Sequence, residues 1–519
     1  MKNNDKFILS IDMGTQSVRA VAFDIKGNIL DMNKVIYKPI SNSPEDGFHE
    51  QGVEYYWKCL TKACKNLWNQ NKVDPKNILG LSVTTQRGTV VNLDKDGKAL
   101  RPAILWFDKR LSKNIKKITP LLDLAFNITK LRKNIDYFQK KAQINWIEEN
   151  QPEIWDKTEH YLLLSGYINY RLTTKFIDST ASQVGYIPYN YKKQTWEENN
   201  SWKYKLFRVK PKSLPKLVKP SEIIGKISSQ ASKETLIPID TLVFAAASDK
   251  ACEITGSGML ENSDACIGFG TTATISINSK KYIEPIFLAP PYTSAKQGYY
   301  NPEVQIFRGF WMVTWFKEQF AHPESITAQK KGVSTEEVLE ELASKIPAGS
   351  LGLTLQPYWT PGVRFPGLEA KGSIIGFNSM HKKEHIYRAI LEGLAYGIRE
   401  GKEKIEKKSK IKMKQIFVTG GGSKSDLVMQ ITADILNVKT IRPKIEESSA
   451  LGAAILTAIG LKIYKNYDEA VKNMTSSGDT FEPNPETVKI YDKLYKSVYK
   501  NIYKRLKPIF HSIKNIIVT

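Results

Sequence analysis

Residues 7–23, FILSIDMGTQSVRAVAF, decide how the rest of the chain is read. Phe7, Ile8, Leu9 and Ile11 carry one short apolar strand to Asp12, and Val18, Ala20, Ala22 and Phe23 carry a second strand away from Ser17. Between them lies a polar corner, Met13 to Ser17, in which Gly14 is expected to supply the backbone freedom of a hairpin. The hydroxyls of Thr15 and Ser17 and the free N–H groups of the corner suit a phosphate, and Asp12 is a hard oxygen ligand suited to a phosphate-bound Mg²⁺. The corner is neither a Walker loop nor a dinucleotide fingerprint, because a strand and not a helix follows Gly14. A plain surface hairpin built from good turn formers accounts for the same residues.

Outward from the hairpin, Asn28 to Tyr37 continues an antiparallel meander. A helix is predicted over Val53 to Gln70, with Tyr56, Leu60, Ala63, Cys64 and Leu67 on one stripe. The strand Ile78 to Thr84 ends in Thr85, Gln86 and Arg87, and the apolar piece Ala103 to Trp106 ends in Phe107, Asp108, Lys109 and Arg110. Strand ends are where α/β sheets place ligand contacts, so Gln86, Arg87, Trp106 and Asp108 form a candidate substrate wall. Capping of the strands is the alternative for each. The segment from about Leu111 to Thr173 is predicted to be mostly helical.

Two later regions repeat or complement the opening. In VFAAASDKACEITGSG, residues 243–258, a strand leads to Asp249 and Lys250 at a helix start. Asp249 is a candidate base; it is equally suited to cap the helix, and Ser248 competes for that position. In ACIGFGTTATISIN, residues 265–278, a Gly270-Thr271-Thr272 corner between two strands repeats the design around Gly14, which argues for a duplicated architecture. The aromatic-rich stretches Gln305 to Phe316 and Gln356 to Pro366 are predicted irregular. A long helix follows over His381 to Lys407, and then a strand, Ile416 to Val418, runs into Gly420, Gly421 and Gly422. Strand, glycine run and helix let a backbone approach a flat base or a phosphate closely.

The bulk properties bound the answer. A chain of 519 residues exceeds one ordinary core, so two domains of about 250 residues are expected. With 41% hydrophobic and 25% charged residues the chain is globular in character. No apolar run reaches membrane length; the small-residue run Ala450 to Leu461 reads as a closely packed internal helix. The amino terminus lacks the apolar stretch of a secretory signal, so a cytoplasmic location and no membrane partner are expected. Cys59, Cys64, Cys252 and Cys266 show no metal-ligand spacing and are expected to be reduced structural thiols. The formal charge of +23 comes from lysines scattered along the chain, which fits a solvated surface better than a nucleic-acid interface.

Taken in order, IDMGTQSVR, TTQRG with AILWFDKR, AASDKA, GFGTTAT, KGSIIGF with HIYRAILEGLAY, and VTGGGSKSDLVMQITADIL with SSALGAAI resemble the motifs of the FGGY carbohydrate kinases, within the sugar kinase, Hsp70 and actin superfamily. The resemblance covers essentially the whole chain. It implies an α/β protein of two ribonuclease H-like (actin-like ATPase) domains, residues 1–256 and 257–519, with a central cleft for MgATP and the sugar held mainly by the first domain. Carried over by position, it implies Asp249 as general base and Asp12 serving the Mg²⁺. Gly14, Thr15 and Gln16 would lie in the first phosphate loop, Thr271 and Thr272 at the β/γ-phosphates, Gly421 and Gly422 at the α-phosphate and adenosine, and Ser425 at the edge of the base. Gln86, Arg87, Trp106, Asp108, Asp249 and Lys250 would face a small sugar, ketose or polyol.

Departures from the family pattern concern the sugar. Gly88 stands where glycerol kinases carry Glu, the Met-His pair of xylulose kinases is absent, and Lys250 replaces a usual Asn or Gln. Phe377 replaces a smaller aliphatic residue. The motifs look closest to a less characterised branch. Glycerol kinase-like or xylulokinase-like specificity, an actin- or Hsp70-type ATPase without sugar turnover, and a non-catalytic regulator are the alternatives; a homodimer is left open.

Overall fold

In the computed structural model, which describes residues 6–362 and 365–517, the chain forms two compact units. Positions 1–5, at the amino terminus, and 363 and 364, in the predicted Gln356 to Pro366 loop, lie outside the described residues. The first unit takes the chain up to Gly256 together with Tyr292–Tyr299 and Glu447–Thr475. The second takes Ser257–Pro291, Tyr300–Glu446 and the chain from Ser476 onward.

The first unit is built on a six-stranded sheet. Strands β1 (Phe7–Met13) and β2 (Ser17–Phe23) form the expected hairpin, and β3 (Ile29–Ile36) extends it antiparallel. On the other side of β1, strand β4 (Ile78–Thr85) runs parallel to it, followed by β6 (Leu242–Phe244), parallel, and β5 (Ile223–Lys226), antiparallel. The order is therefore β5-β6-β4-β1-β2-β3. All seven residues of β1 are buried, as a strand covered on both faces requires. Helix α1 (Val53–Asn69) buries the predicted stripe of Tyr56, Leu60, Ala63, Cys64 and Leu67. Helix α2 (Asp249–Gly256) begins at the candidate base.

The second unit repeats this arrangement of strands. Strands β7 (Asp264–Phe269), β8 (Ala273–Ser276) and β9 (Glu303–Ile306) form an antiparallel meander, while β10 (Gln415–Thr419) and β11 (Lys439–Pro443) lie parallel on the other side of β7. Strand β12 (Ser477–Phe481) closes the edge antiparallel. In space and direction β9-β8-β7-β10-β11-β12 matches β3-β2-β1-β4-β6-β5, except that the antiparallel edge strand follows its parallel neighbour in the chain here and precedes it in the first unit; each unit has the ribonuclease H-like, actin-like fold expected. Helix α3 (Lys383–Ser409) contributes Ile390, Leu391, Leu394, Ala395 and Ile398 to the core, as its spacing predicts; α4 (Asp426–Leu436) follows the glycine run.

Helix α5 (Ser448–Gly460) belongs to the first unit, where it is the buried small-residue helix expected from its composition. It packs on α2 backbone to backbone: a Cβ on Gly452 would lie 1.9 Å from the Cys252 carbonyl oxygen, and one on Gly256 would lie 1.9 Å from that of Ser448. The Ser82 hydroxyl on β4 donates to the Ala453 carbonyl at 2.9 Å, fixing α5 to the sheet.

Two stretches differ from the sequence expectation. His160–Leu163, predicted helical, is a strand paired with Val90–Leu93, and residues 111–119 are not helical. A run as short as HYLLL carries no period that separates strand from helix. Within the predicted irregular stretch Gln305 to Phe316, a helix, Trp311–Phe320, begins and buries Met312, Val313 and Phe316; its many aromatic residues hid the helical spacing. All four cysteines are buried, and none forms a disulfide. No described helix is long and apolar enough to cross a membrane.

Candidate active site

The corner joining β1 to β2 is closed by a hydrogen bond from Gly14 N to Ser17 O at 3.0 Å. It is tied to its surroundings by Gln86 N donating to Met13 O and Tyr37 N donating to Gln16 O, each at 2.9 Å. Gly14 does not occupy the left-handed region, so the expectation that it serves backbone freedom does not hold. The nearest atom to a Cβ placed on it would be Ser17 O at 3.7 Å, which leaves the space in front of the backbone open. An open glycine beside free N–H groups is a cradle for a group that must touch the main chain. Gln16 is exposed, and the Thr15 hydroxyl accepts a hydrogen bond from Trp106 Nε1 at 3.0 Å, which couples the corner to the candidate substrate wall.

At the end of β1, Asp12 is buried. Arg19, directly opposite it on β2, donates through Nη1 to Asp12 Oδ2 at 3.2 Å and pairs through Nε with Glu447 at 3.0 Å. Burial pushes the Asp12 carboxyl up to about 7; Arg19 opposes the shift, and the charges of Asp249, Glu447 and Glu253 add to it. Negative charge is thus in excess around a buried oxygen ligand, a setting that suits a hard dication. Among the described residues no group of three His, Cys, Asp or Glu side chains forms a complete metal cage. A Mg²⁺ here would therefore draw most of its ligands from phosphate and water.

Asp249 opens α2 with its side chain 28% exposed. Its Oδ1 accepts from the Lys250 backbone N–H at 2.8 Å, and its carbonyl accepts from the Ser449 hydroxyl of α5 at 3.2 Å. Arg87 Nε lies 3.9 Å from Oδ1 and donates to the Ser248 hydroxyl at 3.3 Å, while its guanidinium sits 4.5 Å over the Tyr292 ring. Ser248 supplies the first carbonyl of the helix, to Cys252 N at 2.9 Å, but its hydroxyl is engaged by Arg87. Burial raises the Asp249 carboxyl, and Arg87 and Lys250 act against that rise. Lys250 does not simply face solvent: its ammonium binds Glu253 at 2.6 Å.

Of the remaining wall residues, Gln86 is buried, with Nε2 donating to Tyr56 at 3.2 Å and Oε1 without a partner. A buried amide oxygen left unsatisfied is an acceptor awaiting a hydroxyl. Asp108 is different. Its Oδ1 accepts from the backbone and Nε of Arg110 at 2.8 and 2.9 Å, and its Oδ2 accepts from Arg110 Nη2 at 2.9 Å and from His49 N at 2.6 Å. Four donors use both oxygens fully, so this carboxylate fixes the His49 segment and is not free to take a sugar hydroxyl.

In the second unit the corner after β7 reproduces the first: a Cβ on Gly270 would also lie 3.7 Å from its nearest neighbour, Thr272 O. Thr271 is exposed and Thr272 half-buried. The three glycines after β10 have three different reasons. Gly420 has φ +83° and sits against Phe269 O; a Cβ on Gly422 would strike the Phe310 ring at 2.4 Å; Gly421 faces open space. The Ser425 hydroxyl caps α4, accepting from Val428 N at 3.1 Å. Arg19 could have been found from the sequence, since the hairpin register places it across from Asp12. Glu447 and Tyr292 could not, because each arrives from a distant part of the chain.

Comparisons with known proteins agree with this architecture. Residues 7–256 match the N-terminal domain, and residues 265–461 the C-terminal domain, of the FGGY family of carbohydrate kinases. The chain is 28% identical to a xylulose kinase of Lactococcus lactis subsp. lactis over 94% of each protein. It is 30% identical to the uncharacterized sugar kinase YgcE of Escherichia coli over 94% of this chain and 91% of that one. In structure it is similar to the ligand-bound xylulose kinase of Lactobacillus acidophilus, with a TM-score of 0.81 at 23% identity over 98% of this chain and 99% of the other. The chain belongs to the FGGY family of carbohydrate kinases, ATP-dependent phosphotransferases that act on alcohol groups.

Proposed function

We propose that this protein transfers the terminal phosphoryl group of ATP to a hydroxyl of a small sugar, ketose or polyol, with Asp249 as general base. The observation that carries the reading is the setting of Asp249: a largely buried carboxylate at a helix start, raised by burial and held ionisable by Arg87 at 3.9 Å and by the adjacent Lys250. A base in that balance can take the proton of an alcohol as the new P–O bond forms, typically a ~10²- to 10⁴-fold contribution. Arg87 orients Asp249, and Gln86, whose Oε1 lacks a donor, receives a sugar hydroxyl. Trp106 holds Thr15, so that the phosphate corner and the sugar wall keep one spacing.

Within the first unit the open corner of Gly14 with Thr15 and Gln16 is suited to a phosphate of ATP, and within the second unit the corner of Gly270 with Thr271 and Thr272 is suited to the same group. Gly421 would take the nucleotide against bare main chain, with Gly422 and Ser425 shaping the turn and the helix start behind it. Asp12 would hold Mg²⁺, which when bound neutralises phosphate charge. Release of ADP from ATP, measured with and without a panel of ketoses, polyols and sugar acids, tests the reading: release must depend on the sugar. Sugar-independent hydrolysis would replace it with an ATPase of the actin or chaperone type.

A further inference from the structure

The segment Tyr292–Tyr299 belongs to the first unit, although the chain on either side of it belongs to the second. Polar contacts hold this strap along its length. Gln194 Nε2 donates to the Tyr299 carbonyl at 2.8 Å, Gln297 Nε2 donates to the Pro220 carbonyl at 2.6 Å, and the Lys296 ammonium binds Asp468 at 2.7 Å. Thr293 is buried, and its hydroxyl meets that of Tyr189 at 3.2 Å. Tyr189 in turn donates to the Thr180 carbonyl at 3.0 Å, next to Ala181, whose own carbonyl accepts from Ser248 N at 3.0 Å. The strap is therefore fixed against the loop that supports the start of α2.

At the head of the strap the Tyr292 ring meets Arg87. The guanidinium carbon lies 4.5 Å from the ring centroid, and Tyr191 packs edge-on against the same ring with centroids 5.9 Å apart. An aromatic face attracts a cation, and a guanidinium, being flat, stacks on it. Arg87 Nε donates to the Ser248 hydroxyl at 3.3 Å and stands 3.9 Å from Asp249 Oδ1, beyond hydrogen-bonding distance. An arginine beside a carboxylate commonly closes to a bidentate contact at about 2.8 Å. Closure here would occupy the lone pairs that a base must offer and would favour the ionised carboxylate.

Resting on the kinase reading above, we propose that Tyr292 is a positioning residue for phosphoryl transfer: its ring keeps Arg87 beside Asp249 and short of clamping it. The other charges that act on Asp249 are already engaged. Lys250, which lowers its pKa, and Glu253, which raises it, bind each other at 2.6 Å, and Asp12 is paired with Arg19. Arg87 is thus the charge whose distance from Asp249 a neighbouring ring can set.

The test is the pH dependence of kcat/KM for ADP release, with xylulose, glycerol, sorbitol and gluconate as acceptors and the best of them carried forward. Tyr292→Leu should lower the midpoint of the acid limb by at least about 0.5 pH unit and lower kcat several-fold, as Arg87 closes on Asp249. Tyr292→Phe keeps the aromatic face and should keep the wild-type midpoint. In an Arg87→Gln background, Tyr292→Leu should leave the midpoint where Arg87→Gln alone puts it, because the effect runs through Arg87. Thermal melts report folding, and Tyr292→Met, similar in reach and without an aromatic face, replaces Tyr292→Leu if that variant does not fold. A midpoint that does not fall, or that falls equally without Arg87, overturns the positioning role and leaves the kinase reading standing; a lower melting temperature alone would mark Tyr292 as packing. Sugar-independent ADP release overturns both.

Discussion

Asp12 and Arg19 face each other across the first hairpin, and Arg19 joins that buried carboxylate to Glu447 at the start of α5. One arginine between two carboxylates, with Asp249 and Glu253 contributing further negative charge, leaves Asp12 underneutralised.

The first prediction follows from that imbalance. The folded-state pKa of Asp12, about 7, lies above its unfolded value of 3.8, so the folded protein binds the extra proton and the group costs stability as pH rises between those values. The cost is absent below pH 4 and fully present above pH 7, on the order of 4 kcal/mol for ~3 pKa units before any relaxation. Asp12→Asn should therefore melt higher than the wild type at pH 8 and nearly equally at pH 4. Mg²⁺ with ATP should raise the wild-type melting temperature more than ATP with EDTA. A variant less stable at pH 8 than at pH 4, relative to wild type, would contradict the assignment.

Asp249→Asn should fold, bind ATP and lose sugar phosphorylation by at least ~10²-fold, since it removes the base and keeps the shape. In the wild type, kcat/KM should fall on the acid side as Asp249 becomes protonated, with a midpoint above the ordinary carboxylate value because burial raises this group. Steady-state kinetics from pH 5 to 9 check both; turnover near the wild-type rate in Asp249→Asn would remove the residue from the chemistry.

The glycine run after β10 offers a separation of stability from binding. Gly420→Ala puts a Cβ at positive φ against Phe269 O and should cost about 1–3 kcal/mol. Gly421→Ala meets open space, so it should melt like the wild type and yet raise the KM for ATP several-fold. Thermal melts beside ATP titrations distinguish them. Equal ATP affinity for wild type and Gly421→Ala would argue against a nucleotide at this turn.

Asp108→Asn should behave as a stability variant. Its partner Arg110 is 1% exposed at the side chain, and removing one charge from a buried, hydrogen-bonded pair typically costs ~3–5 kcal/mol. Denaturant unfolding should show the loss. A variant of native stability with a raised sugar KM would instead put Asp108 in direct contact with substrate.

How much was legible beforehand depended on the range of the interaction. The hairpin, the stripe of α1 and the repeated Gly270 corner follow from local spacing and turn chemistry, and with them the duplicated sheet. The strand His160–Leu163 depends on its partner Val90–Leu93, and four residues cannot announce a partner. Asp108 looked like a ligand because polar strand ends often are, and only the positions of Arg110 and the His49 amide show that its lone pairs are taken. Gly14 carries the same lesson in reverse: its residue type suggests turn geometry, yet its φ is not left-handed and a Cβ there would meet only Ser17 O at 3.7 Å.

The seating of α2 on α5 sets a constraint on how the protein is made. Asp249 rests on Ser449, 200 positions later, and the Gly256 and Gly452 contacts admit no substitute for that surface. A ribosome must translate most of the second unit before α2 finds its bed, so a nascent chain halted near residue 440 should remain protease-sensitive around α2 even with its first sheet complete.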